Sequence, residues 1–495
     1  MIYLQEVIVK YNGNIAALGY GTEILSDNYA ILTLPEAEIP RLRNFVEIEY
    51  IELPKRLSFS ILESADSACI PAAQRESGYN LSGEGVLVAV IDSGIDYRHP
   101  DFINDDGTSR VQYIWDQSVA GTPPKGFLRG AEYSNAQINA ALAAREPYSV
   151  VPHQDFMGHG TAVAGIAAGN GRASGGAEKG VAYASAVIAV KLGERENGRF
   201  SRTTEIMRAV KYVYDKARAM NMPLAVNLSC GTNEGAHDGD SLFETYIDAM
   251  SDRWKGVIVA ASGNEGAARH HYRYQISKGE PVDVAFSVAA KLSALTVGVY
   301  KNFADTFTLE LIAPSGIATG ALEHTAIPRL VHFDGVLMRV AYRQPTHYSM
   351  NCEVLLNLEA ESEGGEITQG VWTLKVTGVE VADGKFDVWL PTVEEVSTRT
   401  AFMVPSLETT LTIPSSAKKV ITVGGYDAST GGIAPFSGRG YTRENIYAKP
   451  DLAAPAVNVR SCRAGGGYGQ FTGTSIAAPF VTGAAALMMQ WGIVR

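Results

Sequence analysis

The chain reads as an α/β protein. A doubly wound parallel sheet with helices on both faces follows a small α+β unit and is interrupted by an all-β insert. Three observations predict this. Between Gly83 and Asn264, continuous apolar runs alternate with helical periods, the pattern of parallel strands covered on both faces. From about residue 270 the runs shorten, turn signals separate them and no helical period remains, which suits a sandwich or a jelly-roll-like fold. Near Ala401 the α/β texture returns. A chain of 495 residues is too long for one ordinary core. The expected units are 1–60, 61–270, 271–400 and 401–495, the second and fourth forming one domain.

Residues 6–11, 28–34 and 45–50 are β-branched and aromatic with partial alternation, and read as strands, with a short helix over 35–42. So small a unit has a marginal core and should lean on a partner. The apolar run 85–91 ends at Asp92, and 185–190, 223–229 and 256–261 repeat the signal. Residues 201–220 predict an amphipathic helix, with Ile206, Ala209, Val210, Val213 and Ala217 on one stripe. In the insert, 285–295, 306–313, 331–343, 352–356, 371–376 and 386–390 read as strands. A strand follows over 419–423, and an apolar helix runs from Ser475.

Three distant segments carry chemistry together. They are Val90-Ile91-Asp92-Ser93-Gly94-Ile95, Gly158-His159-Gly160-Thr161 and Gly473-Thr474-Ser475-Ile476-Ala477-Ala478-Pro479. A serine hydroxyl is a poor nucleophile at neutral pH. It needs a base for its proton and a carboxylate to fix the base's tautomer. Asp92 at a strand end, His159 opening a helix among glycines and Ser475 at a helix N-terminus supply these groups. Alone, Asp92 would be a strand-end cap, Ser475 an N-cap and Asp96 a turn residue. Acyl transfer also needs donors for a developing oxyanion. Asn264, in Ala261-Ser262-Gly263-Asn264-Glu265-Gly266 after a buried strand, and the Ser475 backbone N–H meet that need. Pro479 is tolerable near the start of its helix.

With these four segments the chain resembles the subtilisin-like serine proteases, over roughly 83–268 and 401–495. The order Asp, His, Ser is that of subtilisin. The resemblance implies Asp92, His159 and Ser475 as a triad, with Asn264 and Ser475 as the oxyanion hole. It implies a cleft lined by Ser229, Cys230, Gly231, Ala261, Ser262 and Gly263, where an extended polypeptide substrate pairs as an added strand. The first 60 residues become a prodomain, bound to the catalytic domain after self-cleavage between Leu57 and Leu62. The short prodomain, the β-rich insert, Ser93-Gly94-Ile95-Asp96-Tyr97 and Trp115-Asp116-Gln117-Ser118 further resemble the clostridial Csp germination proteases. There the insert is a jelly roll and the task is activating a precursor of a spore-cortex hydrolase. Some members lack triad residues, so a prodomain-locked, non-catalytic scaffold is the competing expectation.

The remaining expectations are exclusions. A net charge of −11 speaks against nucleic acid. Cys69, Cys230, Cys352 and Cys462 are scattered, without a CxxC pair, so neither a disulfide framework nor a zinc site is expected. The other histidines, at 99, 153, 237, 270, 271, 324, 332 and 347, are expected in loops or at the surface, with no metal among them. No cofactor is required. Structural calcium is the one ion the resemblance allows, and no dense Asp loop stands out to hold it. The glycine-rich stretch from Gly169 to Gly176 lacks the Gly-Lys-Ser/Thr of a phosphate loop. The N-terminus shows no signal peptide, and no uninterrupted apolar run reaches membrane-spanning length. The chain is therefore expected to be made in the cytoplasm, then spore-associated or released by lysis.

Overall fold

The computed structural model describes residues 4–59, 71–74, 79–193, 201–253, 255–289, 291–322, 328–343, 345, 349–362, 364–443 and 447–495. Its centre is an eight-stranded sheet in the order Leu452–Pro455, Ile421–Tyr426, Gly256–Ala261, Leu224–Leu228, Leu87–Asp92, Ala186–Lys191, Val111–Asp116, Ala131–Ser134. Neighbours run parallel except the last pair, where Ala131–Ser134 returns antiparallel. The sheet is thus mixed at one edge rather than wholly parallel.

Continuous apolar runs form these strands because both faces are covered. In Leu87–Asp92, Leu87, Ala89 and Ile91 enter one core while Val88 and Val90 enter the other. Helices Thr203–Met220 and Leu242–Ser251 cover the first face. Helices His159–Ala168, Thr474–Met489 and Asn135–Ala143 cover the second. Helix Thr474–Val494 is long and apolar enough to cross a membrane by length and composition, but half of that window is buried inside the fold, as in a core helix.

The N-terminal unit is a four-stranded antiparallel sheet ordered Gly21–Ile24, Tyr29–Pro35, Leu4–Tyr11, Ile48–Glu52, with a 3-10 helix Glu36–Asn44. Its strands alternate: Val7 and Val9 build its own small core, while Ile8 and Ile31 join the core of the large sheet. The leaning expected of so small a unit takes that form.

The insert is two antiparallel sheets around one core. One is ordered His271–Gln275, Lys385–Trp389, Ala294–Asn302, Asn351–Ala360, Val336–Arg343, Arg329–Phe333; the other Thr306–Ile312, Gly370–Glu380, Pro281–Val288, Ala401–Phe402. The strand expected over 285–295 is two strands, Pro281–Val288 and Ala294–Asn302, in different sheets. Val284, Phe286 and Val288 alternate into the core, and Leu295, Val297 and Val299 begin a second alternation.

Candidate active site

Three adjacent strands, Leu87–Asp92, Leu224–Leu228 and Gly256–Ala261, bring their carboxyl ends together. Asp92 ends the first, Ser229 follows the second and Asn264 lies just past the third. Ligands meet open α/β sheets at this end.

Asp92 is fully buried and takes the Ser93 N–H on Oδ1 at 2.6 Å. The same oxygen lies 2.7 Å from His159 Nδ1. Gly160 allows this approach: a Cβ there would stand 2.1 Å from the Gly94 carbonyl oxygen. Asp155 ties the histidine's loop. Its Oδ1 accepts from Ser93 Oγ (2.8 Å) and Gly158 N–H (2.9 Å), and its Oδ2 from Thr161 N–H (2.9 Å) and Oγ1 (2.6 Å). Behind it, His153 accepts the Ile95 N–H at 3.1 Å and holds Asp116 at 2.7 Å.

Ser475 is fully buried in the first turn of helix Thr474–Met489, which packs against helix His159–Ala168. Pro479 lies inside the helix, beyond its first turn. It has no N–H to give the Ser475 carbonyl; Ser229 Oγ donates to that carbonyl instead, at 2.7 Å. Asn227 Nδ2 in turn donates to Ser229 Oγ (2.7 Å), and Thr482 Oγ1 to Asn227 Oδ1 (3.0 Å). The proline therefore couples the serine's turn to the neighbouring strand. Asn264 Oδ1 accepts from Thr474 N–H (3.0 Å) and Oγ1 (3.1 Å), which fixes the rotation of its amide. Its Nδ2 donates to Glu394 Oε1 at 3.3 Å, and Glu265 Oε1 accepts the Val393 N–H at 2.9 Å. The short helix Val393–Val396 leaving the insert is thus fastened to this loop.

Strand Arg56–Phe59, the tail of the N-terminal unit, lies between two short strands of the large domain. Leu57 pairs with Ser201 and Arg56 with Arg202 on one side; Phe59 pairs with Cys230 and Ser58 with Gly231 on the other. Leu57 is buried in the large core. Of the six expected cleft residues, Cys230 and Gly231 receive this strand, and Ser229 holds Ser475. Ala261, Ser262 and Gly263 sit in the adjacent wall. Among the described residues, the Ser262 N–H goes to Val423, its carbonyl to Thr412, and the Gly263 carbonyl to Gly438. Burial pushes the Cys230 thiol well above its ordinary value, which keeps it protonated and inert. The expected cleavage window straddles the end of the described strand: Ser60, Ile61 and Leu62 lie outside the described residues.

Of the histidines expected in loops or at the surface, His99, His153, His237 and His270 do lie in loops, though buried, and His271 departs from the expectation in a strand. His99, His153, His237, His270 and His271 are buried, because each finds polar partners such as Gly467 O, Asp116, Leu411 O, Glu265 and Asp387. His332 is exposed, while His324 and His347 lie outside the described residues. Among the described residues one group could gather a metal, His99, Asp101 and Cys462, with ligand atoms within 4.8 Å of one another. Nitrogen and sulfur donors do not suit calcium. Their atoms also serve as hydrogen-bond partners: Asp101 Oδ2 accepts from Tyr468 (2.8 Å) and Cys462 (3.3 Å). Cys230, Cys352 and Cys462 are free thiols. Sequence reasoning missed Asp155, four residues before His159, because a lone carboxylate in a polar loop gives no periodic signal.

The subtilase family model matches residues 83–385 and 404–492, and the Csp protease B prodomain model matches 4–55. The structure of the Clostridium perfringens CspB protease superposes with a TM-score of 0.77 at 35% identity, covering 86% of this chain and 87% of that one. The PIII-type proteinase of Lactococcus lactis subsp. cremoris is 23% identical over 493 residues, 92% of this chain and 24% of its own length. The minor extracellular protease Vpr of Bacillus subtilis is 24% identical over 497 residues, 93% of this chain and 54% of its own length. The chain thus spans about a quarter to a half of these longer curated relatives. From both family models and the CspB superposition, this chain belongs to the subtilase family, among its Csp proteases.

Proposed function

We propose that the chain is a serine endopeptidase that cuts its own prodomain. Ser475 attacks the scissile carbonyl, His159 takes the hydroxyl proton and later gives it to the leaving amine, and Asp92 fixes the tautomer by accepting from Nδ1. The Ser475 N–H and Asn264 Nδ2 stabilise the oxyanion of the acyl-forming step. The observation that carries this is the tail strand Arg56–Phe59 paired with Cys230–Gly231, next to the Ser229 that holds the Ser475 turn. No metal enters these steps; they use the chain's own groups.

Intact mass and N-terminal sequencing of the wild type beside Ser475→Ala test this. Cleavage between Leu57 and Leu62 in the wild type alone is expected. A full-length wild-type chain would remove the proposal and favour the locked scaffold. That second reading draws on the buried cluster of Glu6, Glu23 and Arg208, which holds the prodomain in place whether or not it is cut. The further role, activating a spore-cortex hydrolase precursor at the spore, rests on the likeness to the CspB protease. Mixing the processed enzyme with such a precursor checks it, and an untrimmed precursor would remove it.

A further inference from the structure

The short helix Val393–Val396 joins the two sheets of the insert. It follows strand Lys385–Trp389 of one and precedes strand Ala401–Phe402 of the other. The catalytic domain grips it through buried Glu265. Glu265 Oε1 accepts the Val393 N–H at 2.9 Å, and Oε2 meets His270 Nδ1 at 2.7 Å and Asn233 Nδ2 at 3.3 Å. Asn233 Nδ2 also donates to the Leu390 carbonyl at 3.0 Å, and the Leu390 N–H to the His270 carbonyl at 3.0 Å. The helix packs as well against strand Arg56–Phe59, which pairs with Cys230–Gly231.

So seated, the helix sets Glu394 Oε1 3.3 Å from Asn264 Nδ2. The amide needs no help with its orientation. Thr474 already fixes it through Oδ1, from its N–H at 3.0 Å and its Oγ1 at 3.1 Å. Thr474 Oγ1 is held in turn by the Gly263 N–H at 3.1 Å. What Glu394 adds is therefore charge. An amide nitrogen has two N–H groups. Where Glu394 takes the one that faces the oxyanion, it competes for that donor. Where it takes the other, its carboxylate lies near the developing negative charge and repels it. Either way it opposes the transition state more than the ground state, and that difference slows a chemical step. Asn264 is buried while Glu394 reaches solvent, so the repulsion is screened but not abolished.

We propose that Glu394 is an inhibitory positioning residue for acyl transfer: a carboxylate, carried by the insert, that restrains the oxyanion donor Asn264. It touches no reacting atom and acts through the Asn264 amide. The insert thereby reaches the chemistry through one side chain, and a shift of helix Val393–Val396 away from Asn264 releases the donor. The inference rests on the reading of Asn264 as an oxyanion donor.

The test is the rate of self-processing of the full chain, followed by time-resolved mass. Wild type is compared with Glu394→Gln and Glu394→Lys, each with and without Asn264→Ala. Glu394→Gln is expected to process about tenfold faster, and Glu394→Lys at least as fast as Glu394→Gln. A role confined to fastening the helix predicts the opposite sign, because both substitutions weaken the fastening. In the Asn264→Ala background the gain should shrink to about twofold or less. Added sodium chloride should speed the wild type more than Glu394→Gln, and that pair suffices if Glu394→Lys fails to fold. Unchanged or slower processing by Glu394→Gln, an equal gain without Asn264, or an equal salt response overturns the proposal. A wild type that cuts, with Glu394 variants no faster, leaves the protease reading and removes the restraint. No cutting by wild type or by Glu394→Gln removes both, while cutting by Glu394→Gln alone supports both.

Discussion

The folded sheet of the prodomain and its tail meet the protease through differently built contacts. Its folded sheet is fastened by buried charge: Arg208 on helix Thr203–Met220 donates to Glu6 Oε1 at 2.9 Å and to both oxygens of Glu23 at 2.9 and 3.0 Å, and Arg129 adds a 2.6 Å contact to Glu6. Its tail is fastened by backbone pairing in the cleft, with one buried Leu57. The first contact is made on helix Thr203–Met220, and the second pairs with Cys230–Gly231, next to the Ser229 that holds the Ser475 turn. On the proposed function, holding the prodomain and blocking the cleft are therefore separable properties of one small unit.

The comparison breaks most sharply at Arg208. Arg208→Ala strips buried Glu23 of its guanidinium and leaves Glu6 to Arg129, and losing one partner of such a cluster costs about 3–5 kcal/mol. The expected result is a prodomain that dissociates after processing, seen by native mass spectrometry, with cleavage itself retained. Retention of the cut prodomain would show that the tail alone suffices. On the cleft side, Asn264→Ala is expected to slow self-processing about 100- to 1,000-fold while leaving the prodomain bound; an unchanged rate by time-resolved mass would remove Asn264 from the oxyanion hole.

A third measurement separates both contacts from the joint beneath them. His237 is buried between Leu411 O and Asn233 O and stacks on Trp389, and burial lowers its pKa to about 4. The unfolded chain binds this proton near pH 6.5, so between about 6.5 and 4 the unfolded state holds more protons. Stability is therefore full above the unfolded value and falls as the pH drops, by about 3 kcal/mol for this one group. Melting temperature against pH checks it, and His237→Gln should flatten the slope.

The places of Asp92, His159, Ser475 and Asn264 at strand ends and helix starts were legible, because flanking glycines mark where backbones must touch. Gly160 is the clearest case, pressed against Gly94. Asp155 and the five buried histidines were not legible. A polar side chain is buried or exposed according to partners that arrive from elsewhere, such as Asp387 reaching His271 across more than a hundred residues. The strand at 285–295 was misplaced for a related reason: both halves are apolar, and only the sheet each joins tells them apart.

By itself the sequence determined the α/β frame, the position of the insert and the four polar groups at the sheet's carboxyl end. Hydrophobic period and motif spacing are local properties, set by residues a few positions apart. Only the tertiary structure decided that Ser229 takes the bond Pro479 cannot make, that Glu394 reaches Asn264, and that strand Arg56–Phe59 pairs with Cys230–Gly231. Those are pairings between distant segments, and their energies depend on burial and geometry that no local pattern encodes.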